Sequence, residues 1–444
     1  MNQQPTAHVL CLIGTRPEAI KMLPVVLALR ASANFVPVVV TTGQHRDLVD
    51  PILALADITP DFDLEVGRPG LTLNELVSTV ISRLDAFCRK RFDATGAAIA
   101  TREEVLDDGF PVGTLVHGDT SSALAAAIAS FNLRIPVTHV EAGLRTRLTL
   151  SPFPEELNRQ AISRIASFHL APTSTNEENL VRERIPYEQI FVTGNTGIDA
   201  LRFASTLDVV FEDSAVGEAV ASDDPLVTVT AHRRENWEGG LARIAEAIGR
   251  LAVEYPDTRF VVPQHPNPLV REQLGKPLSI HANVVLTEPL SYAPFAKLMA
   301  RSTLIITDSG GIQEEAPALD VPVLVTRDTT ERGEGVEAGT LRLVGTDPDR
   351  IVEAVTLLLT DPAEHAAMAA AVNPYGDGRA SERIVAALEY LAGLGPTPVR
   401  FGPGFSRKAV LIAAGYPGGR DTASGVPRGL APDRSEELDR WVGR

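Results

Sequence analysis

Along residues 8–390, short apolar runs are each broken by a polar loop and followed by a segment of helical spacing. That alternation predicts an α/β fold built on parallel strands. His8–Ile13 is the first run; it stops at Gly14-Thr15-Arg16-Pro17-Glu18, and Ala19–Ala31 follows with helical spacing. Val36–Val40 ends in Thr41-Thr42-Gly43-Gln44-His45, and Leu71–Phe92 reads as a long helix. Thr114–His117 breaks at Gly118-Asp119-Thr120-Ser121-Ser122, the small-residue helix Ala123–Phe131 follows, and Ile135–Val140 stops at Glu141-Ala142-Gly143. These three segments make a βαβ unit. Parallel strands joined by a right-handed crossover end on the same edge of the sheet, so Asp119 and Glu141 are expected at carboxyl ends, where open α/β sheets bind ligands. Ser151-Pro152-Phe153-Pro154-Glu155-Glu156 reads as a helix start, with the helix running from Asn158 to Phe168. Adjacent helical residues point about 100° apart, so only one of Glu155 and Glu156 is expected to face a site.

After a strand near Ile190-Phe191-Val192 and the loop Thr193-Gly194-Asn195-Thr196-Gly197, the pattern starts afresh. Leu226–Thr230 runs into Ala231-His232-Arg233-Arg234-Glu235, and the helix Leu241–Tyr255 follows. Strands are expected at Phe260–Val262, Val284–Leu286, Leu304–Thr307 and Pro322–Val325, the third of them ending in Asp308-Ser309-Gly310-Gly311. Two successive doubly wound, Rossmann-like domains follow, residues 1–195 and 196–375, with a cleft between them lined by strand ends. Residues 93–113 are irregular and read as a surface insertion. From Gly395 the composition shifts toward Gly, Pro, Arg and Asp, so residues 395–444 read as a loosely ordered tail in which Ser435–Val442 could form one helical segment.

The length of 444 residues agrees with two domains. Lys and Arg number 41 against 57 Asp and Glu, and the resulting charge of −16 argues against broad binding to nucleic acid or anionic membranes. A local basic pocket for a small anion stays open. Cys11 and Cys88 form no CxxC pair and read as reduced thiols. No charged-then-apolar leader opens the chain and no apolar run approaches the roughly 18 residues of a membrane span, so a cytoplasmic protein is expected.

The phosphate-binding candidate is Asp308-Ser309-Gly310-Gly311-Ile312-Gln313-Glu314-Glu315, whose two glycines at a strand-to-helix turn let the backbone approach an anion. A helix end alone is worth about 0.3–1 kcal/mol, so Ser309 and arginine side chains must add to it; Glu315, further along, is placed to accept from ribose hydroxyls. The same two glycines also fit a plain turn with no ligand. Arg16 and Lys21, after the first strand, could clamp a diphosphate, though on the residues alone a solvated helix start is the commoner reading. His232, with Arg233 and Arg234 behind it, suits developing negative charge or a structural strand end. His117 and His139 lie within strands and are assigned no chemistry. No GxGxxG follows the first strand, and no P-loop, HExxH or Cys/His ligand spacing occurs, so no metal site is expected.

Taken together, Gly14–Lys21, His117–Thr120, His139–Thr146, Pro152–Asn158, His232–Glu235, Thr307–Pro317 and Asp328–Arg332 resemble the non-hydrolysing UDP-N-acetylglucosamine 2-epimerases. The resemblance implies two Rossmann-like domains arranged as in GT-B glycosyltransferases, a last helix at about 376–393 returning to the first domain, a homodimer and no dissociable cofactor. It implies reversible conversion of UDP-GlcNAc to UDP-ManNAc through elimination of UDP and 2-acetamidoglucal. By motif position, Asp119, Glu141, Glu155 and His232 match the catalytic set, which favours Glu155 over Glu156. Arg16, Lys21, Arg159, Ser309, Gly310, Gly311, Glu315 and Arg332 match substrate contacts, and Phe295 an aromatic beside the uracil. A hydrolysing epimerase, a GT-B glycosyltransferase or a non-catalytic sugar-nucleotide sensor are the alternatives.

The sequence departs from the family at several points. Arg147-Leu148 stands where members commonly have a glycine and an acid, and Leu290 where some have a glutamine. Gly333 replaces the proline of a Glu-Arg-Pro-Glu segment, which is expected to loosen the loop holding Arg332. Some bacterial members bind a second UDP-GlcNAc as an activator, and Gln44, His45 and His265 resemble parts of that site. Arg68-Pro69-Gly70-Leu71 lacks its two amides, since Leu71 neither donates nor accepts and Arg68 only donates, so weakened activation is expected.

Overall fold

The computed structural model of the chain describes residues 7–92, 110–330 and 332–402. β1 (Ala7–Ile13), β2 (Phe35–Thr41), β3 (Phe62–Asp63), β4 (Pro111–His117), β5 (Val137–Val140), β6 (Phe168–Ala171) and β7 (Ile190–Val192) form a parallel sheet in the order β3-β2-β1-β4-β5-β6-β7. β8 (Leu226–Thr230), β9 (Arg259–Pro263), β10 (Val284–Thr287), β11 (Leu304–Thr307), β12 (Val323–Val325) and β13 (Leu341–Leu343) form a second, in the order β10-β9-β8-β11-β12-β13. In each sheet the winding reverses beside the first strand, between β1 and β4 and between β8 and β11. Strand ends at such a reversal splay their loops apart and leave a crevice.

The strands are apolar without alternation because both faces of each sheet are covered. Along β1, Val9, Cys11 and Ile13 enter one core with Met22, Val26 and Leu29, while Leu10 and Leu12 enter another with Val80, Leu84 and Ala126. The helix Ala380–Leu391 belongs to the first sheet's packing, contributing Ile384, Val385, Ala387 and Leu388 to the same core as β1. The chain therefore crosses between sheets twice, and the crossings touch: Asn195 N–H donates to Tyr375 O at 2.9 Å. Gly194, at φ +95°, makes the first crossing possible, a conformation that L side chains adopt only under strain.

Several expectations need correction. The helix expected over Asn158–Phe168 runs from Glu155 to Ile165, and Phe168 instead opens β6, a strand too short and too close behind the helix to be read separately. The short strands β3 and β13 were not expected either. Pro111–Gly113, assigned to an insertion, belong to β4 and pair with His8 and Val9 of β1; residues 93–109 lie outside the described residues. Part of the expected loose tail, residues 400 and 401, is docked on the first sheet. Arg400 donates to Ile190 O at 3.1 Å and pairs with Glu177 and Tyr187, while Phe401 N–H donates to Val192 O at 2.9 Å. This segment covers the exposed edge of β7. The stretch from 403 onward, with the helix expected at Ser435–Val442, lies outside the described residues.

Candidate active site

Asp119 follows β4 by two residues, past Gly118 in the left-handed region (φ +66°). Its Oδ2 accepts from Arg159 Nε at 2.8 Å, and the same guanidinium reaches Glu156 at 3.1 Å. Arg159, matched by motif to a substrate contact, is buried and holds two carboxylates instead. Glu155 and Glu156 differ in what their carboxylates contact. Glu156 is fully buried and accepts from Thr146 N–H (2.9 Å), Arg147 N–H (3.3 Å) and Gln160 (2.9 Å), so it braces the loop before its own helix. Glu155 keeps a buried Oε2 with no hydrogen-bond partner, a group with free capacity for a ligand. Arg147 sits at φ +65°, which gives a physical reason why glycine is common there.

Glu141 begins the turn after β5, also left-handed at φ +62°. Lys21 Nζ lies against its Oε2, and His117 Nε2 stands 3.3 Å from the same oxygen. Burial opposes ionisation of Glu141, but Lys21 and His117 outweigh it and hold the carboxyl well below the usual range. Lys21, expected on the substrate, is thus engaged with a carboxylate of its own sheet. His117 takes part although its place inside an apolar run gave no signal; the one clue is that it ends β4. His139 fits its assignment as structural: burial pushes it down to about 3, so its neutral ring donates from Nε2 to Gly118 O at 2.7 Å. Glu18, which stood out only as part of a motif, is a buried tie between the strand-end loops. It accepts from Gly14 and Thr15 N–H, both at 2.7 Å, and from Thr120 Oγ1 at 2.6 Å.

On the second sheet, β8 and β11 end side by side. Asp308, fully buried, accepts through Oδ2 from His232 N–H (2.9 Å), Arg233 N–H (2.8 Å) and Asn236 (2.9 Å), while its Oδ1 faces His232 Nδ1 at 3.6 Å. Asp308 opened the phosphate-binding candidate in the sequence but was given no role of its own. It orients His232, whose ring burial and neighbouring positive charges keep below its ordinary pKa despite that carboxylate. Ser309 occupies the N-cap position of the helix Gly310–Glu315, without a side-chain capping bond. A side chain at Gly310 would come 3.0 Å from the Arg332 guanidinium carbon and 3.2 Å from Arg233 Nη2, whereas Gly311 opens onto free space. The bare glycine lets two guanidiniums converge on the turn. Arg332 N–H donates to Thr330 Oγ1 (3.1 Å) and its Nε to Glu314 (2.9 Å). Burial lifts Glu315 to about 7, with Lys21 opposing and Glu314 adding. Arg16 is exposed at the first turn of its helix. Phe295 packs half-buried between two apolar clusters, beside Val216 and Leu298.

Gln44, His45 and Arg68 line one cleft of about 720 Å³ together with Gly43, Arg46, Asp47, Leu48, Glu65, Gly67 and Pro69. Gln44 accepts from Ser122 Oγ at 3.1 Å, and Arg68 is paired with Glu75. His265 is not part of that lining; its ring stacks on His232 at 5.3 Å between centroids.

Two doubly wound parallel sheets, with carboxylates on the strand ends of one and a guanidinium-flanked Ser-Gly-Gly turn on the other, define a GT-B-like α/β enzyme. Residues 27–389 match the family described as UDP-N-acetylglucosamine 2-epimerase. UDP-N-acetylglucosamine 2-epimerase of Escherichia coli K12 is 46% identical over 387 residues, 86% of this chain and 98% of that protein. That of Bacillus subtilis 168 is 45% identical over 377 residues, 85% and 93% of the two chains. The crystal structure of UDP-GlcNAc 2-epimerase from Neisseria meningitidis bound to UDP-GlcNAc superposes with a TM-score of 0.75 at 42% identity, covering 86% of this chain and all of that one. The chain belongs to the UDP-N-acetylglucosamine 2-epimerase family.

Proposed function

We propose that this chain interconverts UDP-N-acetylglucosamine and UDP-N-acetylmannosamine at C2 without releasing the sugar. The observation that carries the reading is the set of three carboxylates, Asp119, Glu141 and Glu155, in three different settings at the strand-end edge of the first sheet. One is held by a guanidinium, one by an ammonium, and one has an unpartnered buried oxygen. The C2 hydrogen of the sugar has no neighbouring carbonyl to acidify it. Expulsion of UDP from C1 supplies the acidity, because developing oxocarbenium character makes C2–H a proton donor and elimination gives 2-acetamidoglucal. Re-addition of UDP with protonation from the other face completes the epimerisation. Acid/base groups on both faces are therefore required, and general acid–base catalysis of this kind contributes about 10²–10⁴ in rate.

In this reading the second sheet holds the nucleotide. Ser309, Gly310 and Gly311 take the diphosphate with Arg16 and Arg332, and Glu315 accepts from the ribose hydroxyls. His232, oriented by Asp308, faces the leaving group, and Phe295 supports the base. Incubation with UDP-GlcNAc, with products separated by anion exchange, tests the reading. UDP-ManNAc in equilibrium with substrate is expected; free ManNAc with stoichiometric UDP would make the enzyme a hydrolysing epimerase, and sugar transfer to an added acceptor a glycosyltransferase.

A further inference from the structure

The contact between Lys21 and Glu141 poses a chemical difficulty. A carboxylate held far below its ordinary range by an adjacent ammonium is a poor proton acceptor, and efficient bases have their pKa near the working pH. Yet Glu141 is fixed in a left-handed backbone conformation at φ +62°, a strain that persists where the surroundings hold a side chain in one direction. That direction is toward Lys21 and His117.

Lys21 is also where charges from both sheets meet. It stands on the helix Arg16–Ala31 behind the nucleotide-clamp candidate Arg16, its Cε passing close to Gly197 at the start of the next crossing helix. Glu141 acts on it from the first sheet, and Glu314 and Glu315 from the second. Glu314 already has partners in Arg332 (2.9 Å) and Asn195 (3.1 Å), and Glu141, in direct contact, draws most on the Lys21 charge. The titratable groups facing the Lys21–Glu141 pair are thus His117 from β4 and Glu314 and Glu315 across the cleft, with Glu18 and His139 beyond His117.

We propose that Lys21 is a positioning residue for which Glu141 and the nucleotide diphosphate compete: on Glu141 it holds the carboxylate as a weak base, and once drawn to the phosphates it leaves that carboxylate free to take the C2 proton. This rests on the epimerase reading above. A diphosphate seated at the Ser309–Gly311 turn brings more than one negative charge toward the same ammonium, and charge-assisted contacts to phosphate are among the strong ones. In the direction in which Glu141 is the base, it takes the C2 hydrogen as a proton. The C–H electron pair forms the C1–C2 double bond, and the C1–O bond breaks with its pair going to the diphosphate. Lys21 then balances the charge the leaving group gains, and binding and deprotonation are coupled through one side chain.

The pH dependence of turnover separates this from a merely structural ion pair, because kcat/KM reports the free enzyme and kcat the complex. Lys21→Gln is expected to move the acidic limb of kcat/KM upward by roughly one to three pH units while leaving the limb of kcat in place, and Lys21→Arg to keep the parent profile. If both limbs move together, Lys21 stays on Glu141 throughout; if neither moves, it does not govern Glu141. Either result overturns the proposal. A crystal structure with UDP bound reads the same point without turnover: Nζ is expected on a phosphate oxygen and off Glu141, and an intact Lys21–Glu141 pair beside bound UDP would also overturn it. Failure of the parent enzyme to form UDP-ManNAc is a separate outcome, and sinks the epimerase reading itself.

Discussion

Glu156 accepts from two backbone N–H groups and two side chains, while Glu155, one residue earlier, keeps a buried oxygen without any partner. Their substitutions should therefore separate. Glu156→Gln weakens charge-assisted contacts worth about 1.5–3 kcal/mol each, so urea denaturation should show a less stable protein. Glu155→Gln should instead fold with near-parent stability, Asp119→Asn should lose some stability through its Arg159 pair, and each should lose about 10²–10⁴ in turnover, with UDP affinity by calorimetry little changed. Equal stability of the two glutamine variants would reverse the assignment of the pair. Asp119 and Glu141 were legible because each follows an apolar run directly, which marks a strand end. The choice within Glu155-Glu156 was not legible from periodicity, since both lie on the first helical turn and only the contacts of their oxygens tell them apart. His117 was missed for a different reason: a polar residue buried at a strand terminus reads as part of the strand, and the partner that reveals it, Glu141, comes from a distant segment. Asp308 was placed in the turn, but its part in orienting His232 shows only in the contact.

Among the elements, strands followed by glycine-bearing loops were read well because burial on both faces leaves an uninterrupted apolar run. β6 escaped because Phe168-His169-Leu170-Ala171 carries a fully buried histidine and follows the helix Glu155–Ile165 after two residues. The docked end of the chain escaped because its anchor is a single long-range pair. Glu177 is fully buried, and burial raises its pKa while Arg400 opposes. Removing the arginine leaves an uncompensated buried acid, which typically costs about 3–5 kcal/mol; the lower end applies because Arg400 keeps 22% of its side-chain surface. Arg400→Ala should lower the melting temperature, and Glu177→Gln in that background should recover part of the loss. A melting temperature equal to the parent's would mean that residues 400–401 only rest on β7.

Across the molecule, the two sheets meet through side chains as well as through the two crossings. Asn195 in the first crossing donates to Glu314 at 3.1 Å, and Thr175 donates to Glu334 at 3.2 Å. The helix that carries Glu314 is thereby tied to the first crossing. Despite a net charge of −16, Arg16, Lys21, Arg233 and Arg332 all stand near Gly310, Glu314 or Glu315, with Lys21 paired to Glu141 and Arg332 to Glu314. The neighbouring cleft at Gln44, His45 and Arg68 is less suited to a second nucleotide sugar, because Arg68 is engaged with Glu75 and Leu71 offers no hydrogen bond. Initial rates starting from UDP-ManNAc should therefore depend only weakly on added UDP-GlcNAc. Strict dependence would mean that an activating second site survives.

The proposed mechanism stands on C2 losing and regaining a proton while UDP is off C1, and turnover of UDP-GlcNAc in D2O followed by proton NMR reads this directly. Each UDP-ManNAc formed should carry deuterium at C2, with the C2 proton signal lost and the anomeric signal simplified. Epimerised product that keeps its original C2 hydrogen would rule out proton exchange with solvent, and with it the acid/base roles of Asp119, Glu141 and Glu155.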